Sequence, residues 1–330
     1  MEAKPHLQRL ASAAILAAGL LALVHSLAWR GARFPGFFLM PNRVVPSVAL
    51  EGWSGIREGR PVYQQLLLAV DDQPVADATE GYRQAARHAA GEPVRYLFTR
   101  GQQPETRTFP LRVLGDGEYL AIFGTYFLSG LAYLVLAFFA AERWREGAMF
   151  RGLAAFGWAG AAFSFTGMDL YGPGLMFRLH VLAEAILPAA AAHLALACPR
   201  DHLARRPGLL LVGYGVALVL AAIYELFLYD PSAYTVIHDL CQSLSIVPVL
   251  AFTVALGLAV GEPPAELGAL AVRRLLVGAV AGIVLPAVVL AVSGVSGGLV
   301  PVNVTAWVGF VFPLAALATF RLRPAALAAA

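Results

Sequence analysis

Charged residues are scarce in this chain of 330 residues, because aspartate, glutamate, lysine and arginine together make up only 14% of it. Soluble globular domains average about 25% charged residues, so the composition excludes an ordinary soluble protein. The net charge of +3 is small and its basic residues are spread along the chain, which predicts no nucleic-acid partner. Lys4 is the only lysine among 24 basic residues. This arginine bias, together with abundant alanine, indicates a bacterium with a GC-rich genome.

Cysteine is also rare. Of the two residues present, one ends a long apolar run and the other lies near the start of another, so the transmembrane helices predicted below place them at opposite depths. Cys198 and Cys241 therefore cannot form a disulfide with each other. The chain contains no His-Glu-x-x-His motif of a zinc protease, no phosphate-binding loop and no kinase signature. We expect a protein that is not an enzyme, without catalytic residues, metal ligands or a cofactor.

The chain contains long apolar runs with few charged residues, and its mean hydropathy is +0.68. Each run of about twenty residues is long enough for a helix to cross a hydrocarbon core of roughly 30 Å. A helix also satisfies its own backbone in lipid. We therefore predict an α-helical polytopic membrane protein with about eight transmembrane helices. The runs cover 10–29, 119–141, 149–168, 175–198, 208–228, 235–259, 271–292 and 299–320.

The predicted domains follow from these runs. They are an N-terminal transmembrane helix over 1–33, a small α/β domain over 34–115, a seven-helix bundle over 116–323 and a short tail over 324–330. Basic residues flank the ends of the runs on one side, which the positive-inside rule assigns to the cytoplasm. Both termini are then cytoplasmic and the inserted domain is periplasmic, in a bacterial inner membrane. These residues are Lys4, Arg9, Arg143, Arg145, Arg151, Arg200, Arg205, Arg206, Arg273, Arg274, Arg321 and Arg323.

The inserted domain carries strand and helix signals in a recognisable order. Val44–Val48 and Leu66–Val70 are strand-like, and Asp77 is expected to cap a helix that stops at Gly91. Val94, Tyr96 and Phe98 then alternate with Arg95, Leu97 and Thr99, as in a half-buried strand. The order resembles a PDZ domain. The matching stretches are Pro35-Gly36-Phe37-Phe38-Leu39, Gly55-Ile56-Arg57-Glu58-Gly59, Leu66 to Val75 (LLLAVDDQPV), Gly91-Glu92-Pro93-Val94 and Phe98-Thr99-Arg100-Gly101.

The PDZ resemblance implies a groove in which an extended peptide adds a strand and loop amides hold its carboxylate. The ligand would be a periplasmic peptide or the C-terminus of a protein. The alternative is a PDZ-shaped spacer whose groove is filled by its own chain or by the bundle. The groove residues implied are Gly36, Phe37, Phe38, Leu39, Thr79, Tyr82 and Ala86.

Ionisable residues inside the runs are expensive in lipid and usually face the interior of a bundle. Seven of them fall in the outer half or near the middle of their helices, and His180 and Glu184 share one face because they lie four residues apart. We predict a ligand-binding pocket that opens to the periplasm. Interhelical polar contacts that fix helix register are the simpler alternative, and a metal site is a weaker one. The seven residues are His25, Arg178, His180, Glu184, Glu225, His238 and Asp239.

The whole chain resembles the input region of bacterial membrane histidine kinases of the competence quorum-sensing type and of related PP2C-type phosphatases and cyclases. The resemblance implies one helix, a periplasmic PDZ-like domain and a bundle of about seven helices. No kinase, phosphatase or cyclase domain follows Arg323 in this sequence. The matching stretches are Phe123 to Gly130 (FGTYFLSG), Met168-Asp169-Leu170-Tyr171, Pro188, His193 to Arg200 (HLALACPR), Val311-Phe312-Pro313-Leu314 and Phe320-Arg321-Leu322.

Two functions remain open from the sequence, and a transporter is a distant third. The first is a membrane sensor that detects a periplasmic peptide or small ligand and signals to a separate cytoplasmic kinase, phosphatase or cyclase. The second is a PDZ adaptor that tethers envelope proteins to the inner membrane without signalling. Both place the chain in the lipid bilayer without nucleic acid, and both allow a homodimer.

Overall fold

The structure, a computed structural model, describes residues 5–55, 62–100, 103–296 and 300–321. Several features of the sequence lie outside this range: Lys4 and Arg323 of the basic residues, Ile56–Gly59, Gly101 and Leu322 of the matching stretches, the first residue of the eighth apolar run, and the tail over 324–330. The described part is mostly helical. A small sheet domain follows the first helix and is inserted before the rest of the bundle.

Long helices occupy the positions of the apolar runs. Helix α1 spans Pro5–Ser26, and the second run begins as α3 (Asp116–Tyr119), widens into a π turn over Leu120–Gly124 and continues as α4 (Thr125–Glu142). The other helices are α5 (Ala148–Gly167), α6 (Phe177–Ala197), α7 (Gly208–Phe227), α8 (Pro231–Ala259), α9 (Gly268–Ala279), α10 (Leu285–Val295), α11 (Val304–Gly309) and α12 (Val311–Arg321).

Among the described residues, six helices are long and apolar enough to cross a membrane, which indicates a membrane protein. They cover His6–Trp29, Asp116–Glu142, Phe177–Ala197, Gly208–Phe227, Pro231–Ala259 and Gly268–Val295.

Two of the eight predicted spans differ from these six. Helix α5 is 20 residues long but contains four glycines, a serine and a threonine, so it is less apolar than its neighbours. The last run is divided between α11 and α12, and only 17 residues over Val304–Phe320 form its apolar helical part. Pro313 explains the break, because its ring would clash with the carbonyl four residues earlier in a continuous helix.

The inserted domain contains two small sheets and α2 (Ala78–Ala85). Strands β1 (Arg33–Phe34) and β6 (Arg112–Val113) pair where the chain enters and leaves the domain. The second sheet has the order β3-β2-β4-β5, and its neighbouring strands are antiparallel. Its strands are β2 (Leu66–Val70), β3 (Gln73–Pro74), β4 (Pro93–Arg100) and β5 (Gln103–Pro110).

The alternation predicted in β4 is confirmed. Val94, Tyr96 and Phe98 are all buried, and the rings of Tyr96 and Phe98 pack edge-on against Phe37 at 5.2 and 5.4 Å. Asp77 caps α2 as expected, because its Oδ1 accepts from the Glu80 amide at 2.8 Å. The helix stops at Ala85, earlier than predicted.

The strand predicted at Val44–Val48 is wrong in its extent. Only Val44 forms an isolated bridge, with Leu66. Pro46 has no amide hydrogen, so a continuous ladder cannot pass through this segment. Val45 instead exchanges backbone hydrogen bonds with Gln64 and Gln65 inside the domain, and the Ser47 carbonyl accepts from the Val302 amide of the bundle.

Gly278 and Gly282 form a Gly-x-x-x-Gly pair. They bring α9 and the π turn that follows it, Val280–Val284, close to α12. A Cβ atom on Gly282 would lie 2.4 Å from the Phe312 amide nitrogen, and one on Gly278 would lie 2.5 Å from the Ala315 Cβ. The pair therefore allows a close helix contact within one chain, which is the typical use of this motif in membranes.

Replacing Gly282 with alanine should destabilise the bundle by about 1–3 kcal/mol, because overpacking forces the backbones apart. Unfolding by SDS titration in mixed micelles measures this loss. Gly257→Ala is the matched control, since a Cβ there meets nothing within 4 Å. Equal stability of the two variants would contradict the close contact.

His88 links the turn after β2 to the end of α2. Its Nε2 lies 2.6 Å from Asp71 Oδ2 and its Nδ1 lies 2.9 Å from Glu92 Oε1. The Glu92 hydrogen bond, followed by the Asp71 interaction, raises the pKa of His88 above its ordinary 6.5. Because the pKa is raised, the contacts of protonated His88 with Glu92 and Asp71 stabilise the fold fully below pH 6.5. This stabilisation is lost as the pH rises through the raised pKa.

Glu92→Gln should therefore lower the pKa of His88 towards its ordinary value, because the largest cause of the shift is removed. NMR titration of the His88 ring in nanodisc-embedded protein measures it directly. Glu51→Gln, an exposed change elsewhere in the same domain, is the control and should leave the titration unchanged. An unchanged His88 titration in Glu92→Gln would contradict the geometry.

Candidate functional site

The inserted domain packs directly onto one end of the bundle. The Val302 amide donates to the Ser47 carbonyl at 2.6 Å, and the Ala49 amide donates to Asn303 Oδ1 at 3.0 Å. Asn42 Nδ2 donates to the Leu228 carbonyl at 3.3 Å. Segment 40–49 is thus bound to the loop after α7 and to the chain before α11.

Aromatic rings extend this contact to α1 and to the loop after α5. The Phe38 ring stacks on Tyr171 with centroids 4.4 Å apart and planes only 7° apart. Trp29, just after α1, packs edge-on against both Phe38 and Tyr82 at 5.0 Å. Because such pairs add to the gain from apolar burial, the domain is held by a packed aromatic interface as well as by hydrogen bonds.

A cavity of about 120 Å³ lies between the inserted domain and the bundle. Met40 and the segment 44–48 form one wall, and residues of α4, α5, α6, α8, α10 and α11 form the others. Polar groups are concentrated on the bundle side, and the domain adds one serine and one glutamine. The polar side chains that line it are Ser47, Gln64, Tyr126, Tyr171, His180, Tyr234, Thr235, His238, Gln242, Ser293 and Thr305.

His238 and Glu184 form a close pair beside this cavity. His238 Nδ1 lies 2.6 Å from Glu184 Oε1, and the Gln242 amide nitrogen lies 2.5 Å from His238 Nε2. With that amide donating to Nε2, the imidazole proton is on Nδ1. Nδ1 lies at ion-pair distance from the carboxylate without a well-aligned hydrogen bond to it. The Tyr224 hydroxyl donates to the other oxygen, Oε2, at 2.8 Å. Glu184 is only 4% exposed and has partners on both oxygens.

His180 lies on the same cavity wall, one helical turn from Glu184. Thr166 Oγ1 donates to the Ala162 carbonyl at 2.6 Å, so it accepts from His180 Nδ1, which lies 3.1 Å away. The His180 ring also stacks on Phe163 at 4.5 Å. The predicted common face of His180 and Glu184 therefore faces the protein interior.

The structure brings together three of the seven residues predicted for one pocket: His180, Glu184 and His238. His25 lies elsewhere and pairs with the fully buried Asp169 at 2.7 Å. Arg178 and Glu225 form an exposed ion pair between α6 and α7 at 2.5 Å.

The seventh residue, Asp239, is exposed. Asp239 is separated from His238 because consecutive residues of a helix point about 100° apart around its axis, here the axis of α8.

Sequence reasoning missed several residues that complete the site. Gln242 was detectable, because it lies four residues after His238 on the same helix face. Tyr224 and Ser293 gave no such signal, since each comes from a different helix. Among the described residues, the buried Ser293 Oγ has no hydrogen-bond partner. A buried hydroxyl without a partner costs free energy, so it marks a place where a ligand atom would be stabilised.

The residues of the implied PDZ groove lie mostly in the packed interior. Phe37, Phe38 and Leu39 are at most 1% exposed, and the Leu39 amide donates to the Tyr82 hydroxyl at 2.5 Å. Burial raises the pKa of Tyr82, so its hydroxyl stays protonated and also donates to the Leu39 carbonyl at 3.4 Å. The space between this segment and α2 is thus bridged by the chain itself.

The other three residues of the implied groove form no common surface with these. Gly36 has a positive φ of 80°, and a Cβ there would lie 2.6 Å from Ser54 Oγ. Thr79 is exposed, and Ala86 is half-buried at the end of α2. Peptide binding in this groove stays a prediction, and it requires Tyr82 to release Leu39.

No three His, Cys, Asp or Glu side chains in the described ranges come together in a way that could hold a metal ion. No family model matches the chain, and neither a curated protein nor a solved structure matches it. The candidate site therefore rests on its own geometry.

Glu184→Ala should destabilise the protein by about 3–5 kcal/mol, because it leaves the buried Tyr224 hydroxyl and the partly buried His238 ring without their partner. Glu225→Ala removes an ion pair whose side chains are 66% and 48% exposed, and it should cost at most about 1 kcal/mol. Unfolding of both variants by SDS titration gives the comparison. Similar losses would show that the Glu184 pair is not buried as described.

Proposed function

We propose that the protein is a membrane sensor or regulatory module. In this proposal the chain has eight membrane-spanning helices in a bacterial inner membrane, namely the N-terminal helix and a bundle of seven. A PDZ-like domain lies in the periplasm, and both termini lie in the cytoplasm. The observation that carries the proposal is the cavity of about 120 Å³ shared by the inserted domain and the bundle. A ligand there contacts both parts at once.

A shared cavity suits sensing because its occupant changes the free energy of docking. A ligand shifts a conformational equilibrium only by the difference between its affinities for the two states. A ligand held between segment 40–48 and α8 binds only when the two are together. It therefore favours the docked arrangement by its full interaction energy.

The lining supports a small polar ligand. Ser293 Oγ has no partner among the described residues, and the His238–Gln242 contact can exchange partners with a bound donor or acceptor. The pairing of Glu184 with His238 and Tyr224 leaves a hydrogen-bonded wall with little free charge. A small ligand with both hydrogen-bond donors and acceptors satisfies such a wall better than a bare ion does.

Two helices lead from this site to the opposite end of the bundle, which we call the arginine-rich end because the loop after α6 carries Arg200, Arg205 and Arg206 there. Helix α8 carries His238 near its start and runs to Ala259, and α6 carries Glu184 and runs to Ala197. Both end near loops that contain Arg200, Arg205 and Arg206. A shift of either helix thus alters a surface that a cytoplasmic kinase, phosphatase or cyclase would contact.

A PDZ adaptor that tethers envelope proteins stays the alternative. It requires the groove bridged by Tyr82 and Leu39 to open, whereas the sensor uses the cavity as it stands. The two functions also differ in the surface through which partners bind.

Site-specific photo-crosslinking in membranes of the native host separates them. A photoreactive residue at Arg145 tests the arginine-rich end, and one at Thr106 on β5 tests the inserted domain; both positions are exposed. The sensor predicts capture of a kinase, phosphatase or cyclase from Arg145, with a yield that changes at least threefold in His238→Gln.

Asp239→Asn is the matched control, because it changes the next residue of α8 on an exposed face. Its crosslinking yield should equal that of the unchanged protein. Capture of periplasmic proteins alone, through Thr106, would overturn the sensor and favour the adaptor.

A further inference from the structure

A second cavity, separate from the polar one, opens on the side of the bundle between α1, α5, α6 and α7. Its volume is about 650 Å³, which falls within the roughly 300–1,000 Å³ of small-molecule sites. Its lining is almost entirely hydrocarbon, with Ile15 on α1, Trp158 on α5, and Leu182 and Ile186 on α6. The occupant must therefore be apolar over most of its length.

The cavity is a long groove. Along α6 its lining extends from Leu179 to His193, which corresponds to about 21 Å at 1.5 Å per residue. Ala155, Ala159 and Ala162 lie on one face of α5, and their small side chains leave room for the groove. The hydrocarbon core of a bilayer is roughly 30 Å thick, so the groove extends over about two thirds of it and is long enough for one extended acyl chain.

One end of the groove carries a polar group that lacks a partner. His193 is 7% exposed, and its Nδ1 lies 3.2 Å from the Tyr214 hydroxyl. Its Nε2 is buried without a hydrogen-bond partner among the described residues. When the Tyr214 hydroxyl donates to Nδ1, the proton of the imidazole is on Nε2 and is free for an acceptor. The carbonyl of an ester is such an acceptor.

Positive charge lies at the same end. His193 is four residues from the end of α6, and the loop that follows contains the exposed Arg205 and Arg206. Trp144, which lines the groove, is adjacent to the exposed Arg145. Arginine binds phosphate well because its guanidinium donates several hydrogen bonds.

We propose that this groove binds an acyl chain of an anionic phospholipid from the leaflet at the arginine-rich end. The chain lies on the alanine face of α5, the ester carbonyl accepts from His193 Nε2, and the arginines contact the phosphate and headgroup. The opposite end of the groove reaches Thr166, which bonds to His180 of the polar cavity. The proposal concerns lipid binding alone and is independent of the proposed sensing.

Native mass spectrometry of the full chain tests it. The protein is released from nanodiscs of equimolar phosphatidylglycerol and phosphatidylethanolamine, and loosely bound lipid is removed by stepwise activation. We expect one retained phosphatidylglycerol per chain, enriched at least fivefold over phosphatidylethanolamine. His193→Leu should reduce the retained fraction at least fivefold, and Ala159→Leu should do the same by filling the groove.

Val254→Leu is the control, because Val254 is a 60% exposed residue of α8 that does not line the groove. SDS titration confirms that each variant is folded before its lipids are counted. Equal retention of the two lipids, or equal retention in all variants, would mean annular lipid only and would overturn the proposal.

Discussion

The buried carboxylate of Glu184 is the group on which the arrangement of the bundle depends. A charge in a low-dielectric interior is costly unless it is paired and hydrogen-bonded. Its two partners, Tyr224 and His238, come from α7 and α8. Satisfying this one carboxylate therefore fixes the rotation of three helices about their axes.

The inserted domain is connected to the same group by a short series of contacts. The Tyr234 ring stacks on His238 with planes 12° apart, and the Tyr234 hydroxyl lies 3.5 Å from Met40 Sδ. Met40 belongs to the segment that lines the polar cavity. Met40 and Tyr234 thus form a continuous series of contacts from this segment to the His238–Glu184 pair.

Much of the fold could be predicted from the sequence, because apolar length and period act locally. The described helices begin and end within a few residues of the apolar runs, and β4 has the burial that its alternation predicts. The site could be predicted only in part. Spacing of four residues relates His180 to Glu184, but it says nothing about which helices are neighbours. The pair of His25 with Asp169 joins residues far apart in sequence, so no local pattern indicates it.

The residues of the implied PDZ groove show a second reason why the site could be predicted only in part from the sequence. Phe37 and Phe38 have the composition expected of a peptide-binding loop, and the same composition suits a loop that packs against other rings. Their burial against Tyr96, Phe123 and Tyr171 depends on residues up to 133 positions away, the separation of Phe38 and Tyr171. Local sequence cannot distinguish an apolar surface that binds a ligand from one that the chain covers itself.

Hydrogen exchange of the amides in segment 44–50 and of the Val302 amide, measured in lipid nanodiscs, tests the docking of the inserted domain most directly. The Ala49 amide is outside the strands, and its partner is Asn303 in the bundle, so its protection depends on docking. The account predicts slow exchange at Ala49 and Val302 in the unchanged protein, and faster exchange at Ala49 in Asn303→Leu. Fast exchange at both amides in the unchanged protein would contradict a docked domain and the cavity that it shares with the bundle.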